Sequence, residues 1–237
     1  MKDSSLNVIA IAVFSITLMA LVGPAVGISP TIPSVIVFSV LAIASLDNFA
    51  LQGQGTTILT DWLAGASGEK QDRILHHEAG HFLVAHLLEI PVEGYALSAW
   101  EAFKQGQKAQ GGVRFRDQTV LDQLQQGSLS SELLDRYCRV WMAGIAAESI
   151  VYGSALGGAD DRQKIYSVWS QLRRPQPEAE VKQRWATLQA RNLIENHQLA
   201  YEALVKAMAE RMPVEECTEL IEASDKPEPS EENKEVT

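Results

Sequence analysis

Residues 76–81 read His76-His77-Glu78-Ala79-Gly80-His81, inside a helical pattern that runs from Gln71 to Ile90 and stops before Pro91. On a helix, residues four apart project from nearly the same face, so His77 and His81 bring two imidazole nitrogens toward one point. That spacing lets both reach a single zinc ion at about 2.0–2.1 Å. Glu78 is turned about 100° from His77 around the axis, which suits a carboxylate that touches a water on the metal and not the metal itself. Ile74, Val84, Ala85 and Leu88 continue the histidine face as an apolar stripe, so the histidines are expected beside the core, where an imidazole needs a partner. Such a helix cannot stand alone. The chain must pack further helices against it and bring a third ligand to the same point. Gly80, which costs about 1 kcal/mol in a helix interior relative to Ala, predicts close packing or a close approach by substrate backbone.

The third ligand has to come from elsewhere in the chain. The pattern HExxHxxGxxH fails, because Val84 and Leu87 stand at the Gly and last His positions and His86 is one residue out of register. A second helical pattern covers Ser130 to Gly153, with Leu133, Leu134, Tyr137, Val140, Trp141, Ile145 and Ile150 apolar, and Gly157-Gly158-Ala159-Asp160-Asp161 then opens a third helix. From the residues alone, Asp161 reads as an ordinary helix cap, with Asp160 competing for the same roles.

These segments carry a resemblance. His-Glu-Ala-Gly-His with Phe82-Leu83-Val84-Ala85 resembles the zinc helix of the FtsH family of membrane proteases, and Ala143-Gly144-Ile145-Ala146-Ala147-Glu148-Ser149-Ile150-Val151-Tyr152-Gly153 resembles that family's Gly-Gly-Arg-Ala-Ala-Glu-Glu helix. Gly158-Ala159-Asp160-Asp161 is similar to the family's Gly-Ala-Ser-Asn-Asp, whose final Asp is the third zinc ligand, which implies that role for Asp161. Glu148 then either orients an imidazole or satisfies a neighbouring helix end. Ile145 departs from the family's Arg and Ser149 from its second Glu. Leu204 to Glu222 is similar to the family's C-terminal helix and acidic segment, so the likeness covers Asp72 to Glu222. Its implication is a zinc metalloendopeptidase: His77, His81 and Asp161 hold Zn2+, and Glu78 acts as the catalytic base. His76, His86 and His197 fit no place in that template and read as structural or exposed. The family's ATPase module has no counterpart, since no G-x-x-x-x-G-K-[ST] occurs and the chain has no ATP site of that kind. The likeness extends, less specifically, to the stand-alone membrane-tethered relatives of photosynthetic lineages, through residues 94–102 and 111–115. It implies a plasma or thylakoid membrane setting with the peptidase on the cytoplasmic or stromal side. Substrates would be unfolded or membrane proteins, and an ATPase-bearing relative or further copies of the chain would be partners. The rival reading is a non-catalytic subunit or scaffold beside such a relative.

The mean hydropathy of -0.05 averages two unlike parts. Val8 to Ile28 holds no charge over about the 20 residues needed to cross a bilayer core, and Ser34 to Leu46 is a shorter second apolar run limited by Asp47. One or two transmembrane helices are therefore expected within residues 1–51, and the lipid bilayer is a partner. A barely cationic leader and a long apolar stretch argue against a signal peptide. Residues 52–70 read as a linker in which Trp62 marks either the headgroup level or a packed spot. Residues 71–222 form the peptidase domain. Residues 223–237, acidic and free of aromatics, are expected to be disordered. The formal charge of -10 offers no basic stripe for nucleic acid. Cys138 and Cys217 match neither a disulfide framework nor a thiolate metal site. Val92 to Asp117 reads as one or two short strands with a loop; an edge strand there either pairs with extended substrate or merely packs. Pro177 to Met212 reads as one long helix. The fold class is thus mostly α, a helical bundle with a small β element behind a membrane anchor.

Overall fold

Pro24, with no N–H to donate, falls within the first apolar run, where a continuous helix would lose a backbone bond. The computed structural model describes residues 14–19, 21–27, 29, 31–50, 68–106, 111–126 and 129–224. They divide into two units, one within residues 1–59 and one within 60–237. In the first, residues 14–19 and 21–22 are helical, Gly23–Val26 form a 3-10 turn around Pro24, and Gly27 ends it at φ +81°. Helix α1 (Thr31–Ala50) then begins ahead of the run expected at Ser34 and continues beyond Asp47. Among the described residues no helix is long and apolar enough to cross a membrane, so the expected spans find no support there. Residues 8–13 of the first run, the linker residues through 67 with Trp62, and the tail from 225 lie outside the described residues.

The second unit is mostly helical with a two-stranded sheet. Its elements are α2 (Gly68–Leu87), β1 (Val92–Ala96), α3 (Ala99–Lys104), β2 (Gly112–Phe115), α4 (Gln118–Gln125), α5 (Ser131–Tyr152), α6 (Ala159–Gln171), α7 (Gln176–Asn196), α8 (Gln198–Ala209) and α9 (Val214–Ser224). Helices α2 and α5 form the central pair; α7 covers α5, α8 lies on α2, and α9 packs on α8 and β1. Phe82, Leu83 and Val84 of α2, with Val140, Met142 and Ala146 of α5, are fully enclosed. Each large apolar side chain so buried contributes about 1.5–3 kcal/mol.

Gly80 makes the crossing possible. A Cβ there would lie 2.6 Å from the Ala147 Cβ and 2.8 Å from the Ala143 carbonyl oxygen. Of the two readings of Gly80, close packing is therefore the one observed at this position. Ser130 starts α5 by accepting from the Leu133 N–H at 3.2 Å, and Gly153, at φ +75°, stops it.

Two local expectations are corrected. The stretch expected to be a loop between strands holds α3, because Ser98 accepts from the Glu101 N–H at 3.1 Å while Glu101 Oε2 accepts from the Leu97 N–H at 2.7 Å. That exchange is close to a capping box. The long helix expected over Pro177 to Met212 is two helices, since His197 leaves helical geometry at φ -119°, ψ 40°. The strands pair antiparallel, with Gly94 opposite Arg114, Tyr95 opposite Val113 and Ala96 opposite Gly112, and an irregularity between Val92 and Gly94. Both strands pack against α2.

Candidate metal centre

His77 and His81 leave α2 on the face turned to α5, and both are buried. Each ring is fixed from behind. The His81 Nδ1 lies 2.7 Å from the Val140 carbonyl oxygen and the His77 Nδ1 lies 2.7 Å from Glu148 Oε1. A carbonyl only accepts, so the His81 Nδ1 carries the proton and its Nε2 presents a lone pair; the carboxylate imposes the same tautomer on neutral His77.

Both Nε2 atoms face Asp161. His77 Nε2 lies 3.0 Å from His81 Nε2 and 3.1 Å from Asp161 Oδ2, and His81 Nε2 lies 3.4 Å from the same oxygen. Three acceptors this close repel one another unless a proton or a metal cation sits among them. A tetrahedral zinc ion with bonds of about 2.0–2.1 Å holds its ligand atoms about 3.3–3.4 Å apart, so the triangle fits such an ion with small adjustments. Asp161 is buried at the first turn of α6 and its other oxygen takes the Lys164 ammonium at 2.9 Å, whereas Asp160 is exposed. The geometry thus separates two neighbours that the residues alone leave in competition. His77, His81 and Asp161 are a group able to hold a metal ion.

Glycines make the space. A Cβ on Gly144 would lie 2.3 Å from His77 Nε2, and one on Gly157 would lie 2.7 Å from Glu148 Oε1. Gly158 takes φ +82° with the Ile145 side chain packed where its Cβ would point, so the loop into α6 presses directly on α5. Ile145, the departure from the FtsH Arg, serves in this contact. Ser149, the other departure, donates to the Ile145 carbonyl at 2.7 Å.

Glu148 lies against the imidazole, and its other hydrogen-bond partners are loop amides and not a helix end. It holds His77, and it accepts from the Leu156 and Gly157 N–H groups at 2.9 and 3.2 Å, tying down the loop that leads to Asp161. Arg73 approaches its other oxygen at 3.7 Å, donates to the Ser154 carbonyl at 3.3 Å and lies over the Tyr152 ring. Arg73 and Gly144 were not singled out as site residues from the sequence. An arginine one helical turn before His77 was the available signal for the first; for the second it was the match of Gly144 to the second glycine of the Gly-Gly-Arg helix. His76 instead pairs with the Tyr201 hydroxyl at 2.9 Å, and neither it nor His86 nor His197 joins the cluster.

Replacing Glu148 by Gln keeps the shape but removes the charge that fixes the His77 ring. Zinc affinity is expected to fall about 10- to 100-fold, as outer-sphere losses generally do, measured by competition with a chromogenic chelator.

The pocket favours positive charge. Burial pushes the His77 pKa down, but hydrogen bonds to Asp161 and Glu148 outweigh it and carry it up to about 10. Burial would raise Asp161, yet His81, His77 and Lys164 hold its carboxyl well below the usual range. In metal-free protein the His77 proton stabilises the fold fully below the ordinary value of 6.5, and that contribution is lost as pH rises through about 10. A metal must displace this proton. Zinc uptake near pH 7.5 is therefore expected to release about one proton per ion, read by calorimetry in buffers of different ionisation enthalpy. Uptake with no release would show that His77 is already neutral.

Glu78, next in sequence to His77, accepts at Oε2 from the Val113 N–H of β2 at 2.9 Å. Neither a protein-family model nor a curated protein matches this chain.

Proposed function

We propose that the chain is a zinc metalloendopeptidase resembling the proteolytic part of FtsH-type proteases. The observation that carries the reading is the convergence of His77 Nε2, His81 Nε2 and Asp161 Oδ2, each histidine held through its other nitrogen, with Glu78 next in sequence to a ligand. A purely structural metal site has no use for that carboxylate, which favours hydrolysis over a scaffold role.

Zinc held there supplies a Lewis acid for a peptide carbonyl and lowers the pKa of a water. The chain's own residues do the rest. Glu78 accepts a proton from the attacking water and returns it to the leaving amine. Val140 and Glu148 accept hydrogen bonds from the Nδ1 atoms of His81 and His77 and hold both rings with Nε2 turned to the metal site. Lys164 steadies Asp161 from outside the cluster.

By the same resemblance, residues 1–51 would anchor the domain at a plasma or thylakoid membrane. Exposed apolar side chains such as Phe14, Leu21, Val35 and Phe38 in that region are consistent with lipid contact. Unfolded or loosened membrane proteins are the proposed substrates, and an ATPase-bearing relative or further copies of the chain the proposed partners.

The test is metal removal and return. Cleavage of an unfolded, casein-like chain should stop on treatment with a chelator and recover with stoichiometric zinc. Zinc uptake without any cleavage would move the reading to the non-catalytic subunit.

A further inference from the structure

Successive residues of a strand turn their N–H and C=O groups to opposite sides. Gly112 and Arg114 sit opposite Ala96 and Gly94, and the Arg116 N–H donates to the Pro91 carbonyl at 2.9 Å, so these even-numbered residues turn toward β1. Val113, between them, turns away. Its amide is directed at α2, where it donates to Glu78 Oε2.

The approach to this residue is built from glycine. Gly111 and Gly112 have φ of +101° and +128°, conformations that a Cβ disfavours. A Cβ on Gly112 would stand 3.7 Å from Glu78 Oε2. The backbone therefore passes close beside the carboxylate and delivers the next N–H to it. A glutamate side chain on a helix has several rotatable bonds and loses entropy when held in one rotamer. A fixed amide bound to one of its oxygens bears that cost in advance and leaves the second oxygen to accept from another group.

We propose that the Val113 amide is a positioning group for Glu78, so that the β1–β2 hairpin sets the aim of the base while the helices hold the metal; this rests on the peptidase reading above. The amide does not touch the ligand cluster, so its loss should leave zinc binding alone. A charge-assisted hydrogen bond of this kind corresponds to about 10- to 100-fold in rate.

The experiment replaces the 112–113 peptide bond by an ester in the full zinc-loaded chain, using the α-hydroxy analogue of valine, which deletes the N–H and keeps the side chain. Val113→Pro is the genetically encoded companion, since an edge strand tolerates proline where the N–H faces outward. The expected result is a kcat lowered about 10- to 100-fold, KM and zinc content unchanged, and a shifted Glu78 carboxylate band in isotope-edited infrared spectra of both metal-free and loaded protein, assigned by its absence in Glu78→Gln. Unchanged or raised kcat, or an unshifted band, overturns the proposal; a raised rate would mean that the amide restrains the base. Loss of zinc together with rate also overturns it, because the hairpin would then act through the metal. A normal rate in the ester beside an inactive Glu78→Gln sinks this inference alone, whereas normal cleavage by Glu78→Gln sinks the reading beneath it.

Discussion

Glu78→Gln is expected to leave bound zinc and melting temperature unchanged and to lower cleavage of an unfolded substrate about 10²- to 10⁴-fold, the usual share of general acid–base catalysis. The substitution is close to isosteric. The Gln carbonyl oxygen can still accept from the Val113 N–H that now binds Glu78 Oε2 at 2.9 Å, so the hairpin keeps its contact with α2. What disappears is the capacity to take up a proton near neutral pH. His77 and His81 are oriented by Glu148 and Val140, so the ligand geometry does not depend on the Glu78 charge. Paired measurements of zinc by mass spectrometry and of cleavage rate decide the matter. A mutant that cleaves at the wild-type rate would remove Glu78 from the chemistry.

Gly144→Ala is expected to cost at least about 100-fold in zinc affinity, beyond the range of outer-sphere changes, although it adds a single methyl group. The new Cβ would fall 2.3 Å from Nε2 and 2.4 Å from Cδ2 of His77, on the atom that faces Asp161 and His81. The ring is held from its far side, because Glu148 fixes its Nδ1 at 2.7 Å. It must rotate, and Nε2 leaves the cluster. Alanine is the better helix former by about 1 kcal/mol, so α5 itself should persist in far-ultraviolet circular dichroism. Chelator competition gives the affinity; wild-type binding by a folded Gly144→Ala protein would mean that His77 does not lie against this position.

Much of this site is legible in the sequence for a simple reason: helical periodicity is local. His77, Glu78 and His81 need only the roughly 3.6-residue turn to acquire their relative directions, and the apolar stripe through Val84 and Ala85 tells which face is inside. Asp161 is a different case. Its identity as the carboxylate that faces both Nε2 atoms depends on how a loop folds back over α5, and nothing between Asp160 and Asp161 distinguishes them until Gly158 and Glu148 place that loop. Glu148, Arg73 and Gly144 likewise act through a helix crossing, a tertiary relation that spacing along one helix does not contain. The short helix after Ser98 was readable from Ser98 and Glu101 as a capping pair, but the Lys/Gln/Gly-rich stretch beside it suggested a loop. The break at His197 left no such trace, because Leu193, Ile194, Leu204 and Val205 keep an apolar helical rhythm across it. In the N-terminal segment, composition suggested spans, while Pro24 and Gly27 interrupt the backbone where the first was expected to continue.

The central claim is that His77, His81 and Asp161 hold one metal ion between them. Native mass spectrometry with elemental analysis of the purified full chain addresses it directly. The expected result is close to one zinc per chain in the wild type and almost none in His81→Ala or Asp161→Ala proteins that remain folded. A folded wild-type chain that takes up no zinc when it is supplied, or binds it equally well without Asp161, would contradict the account.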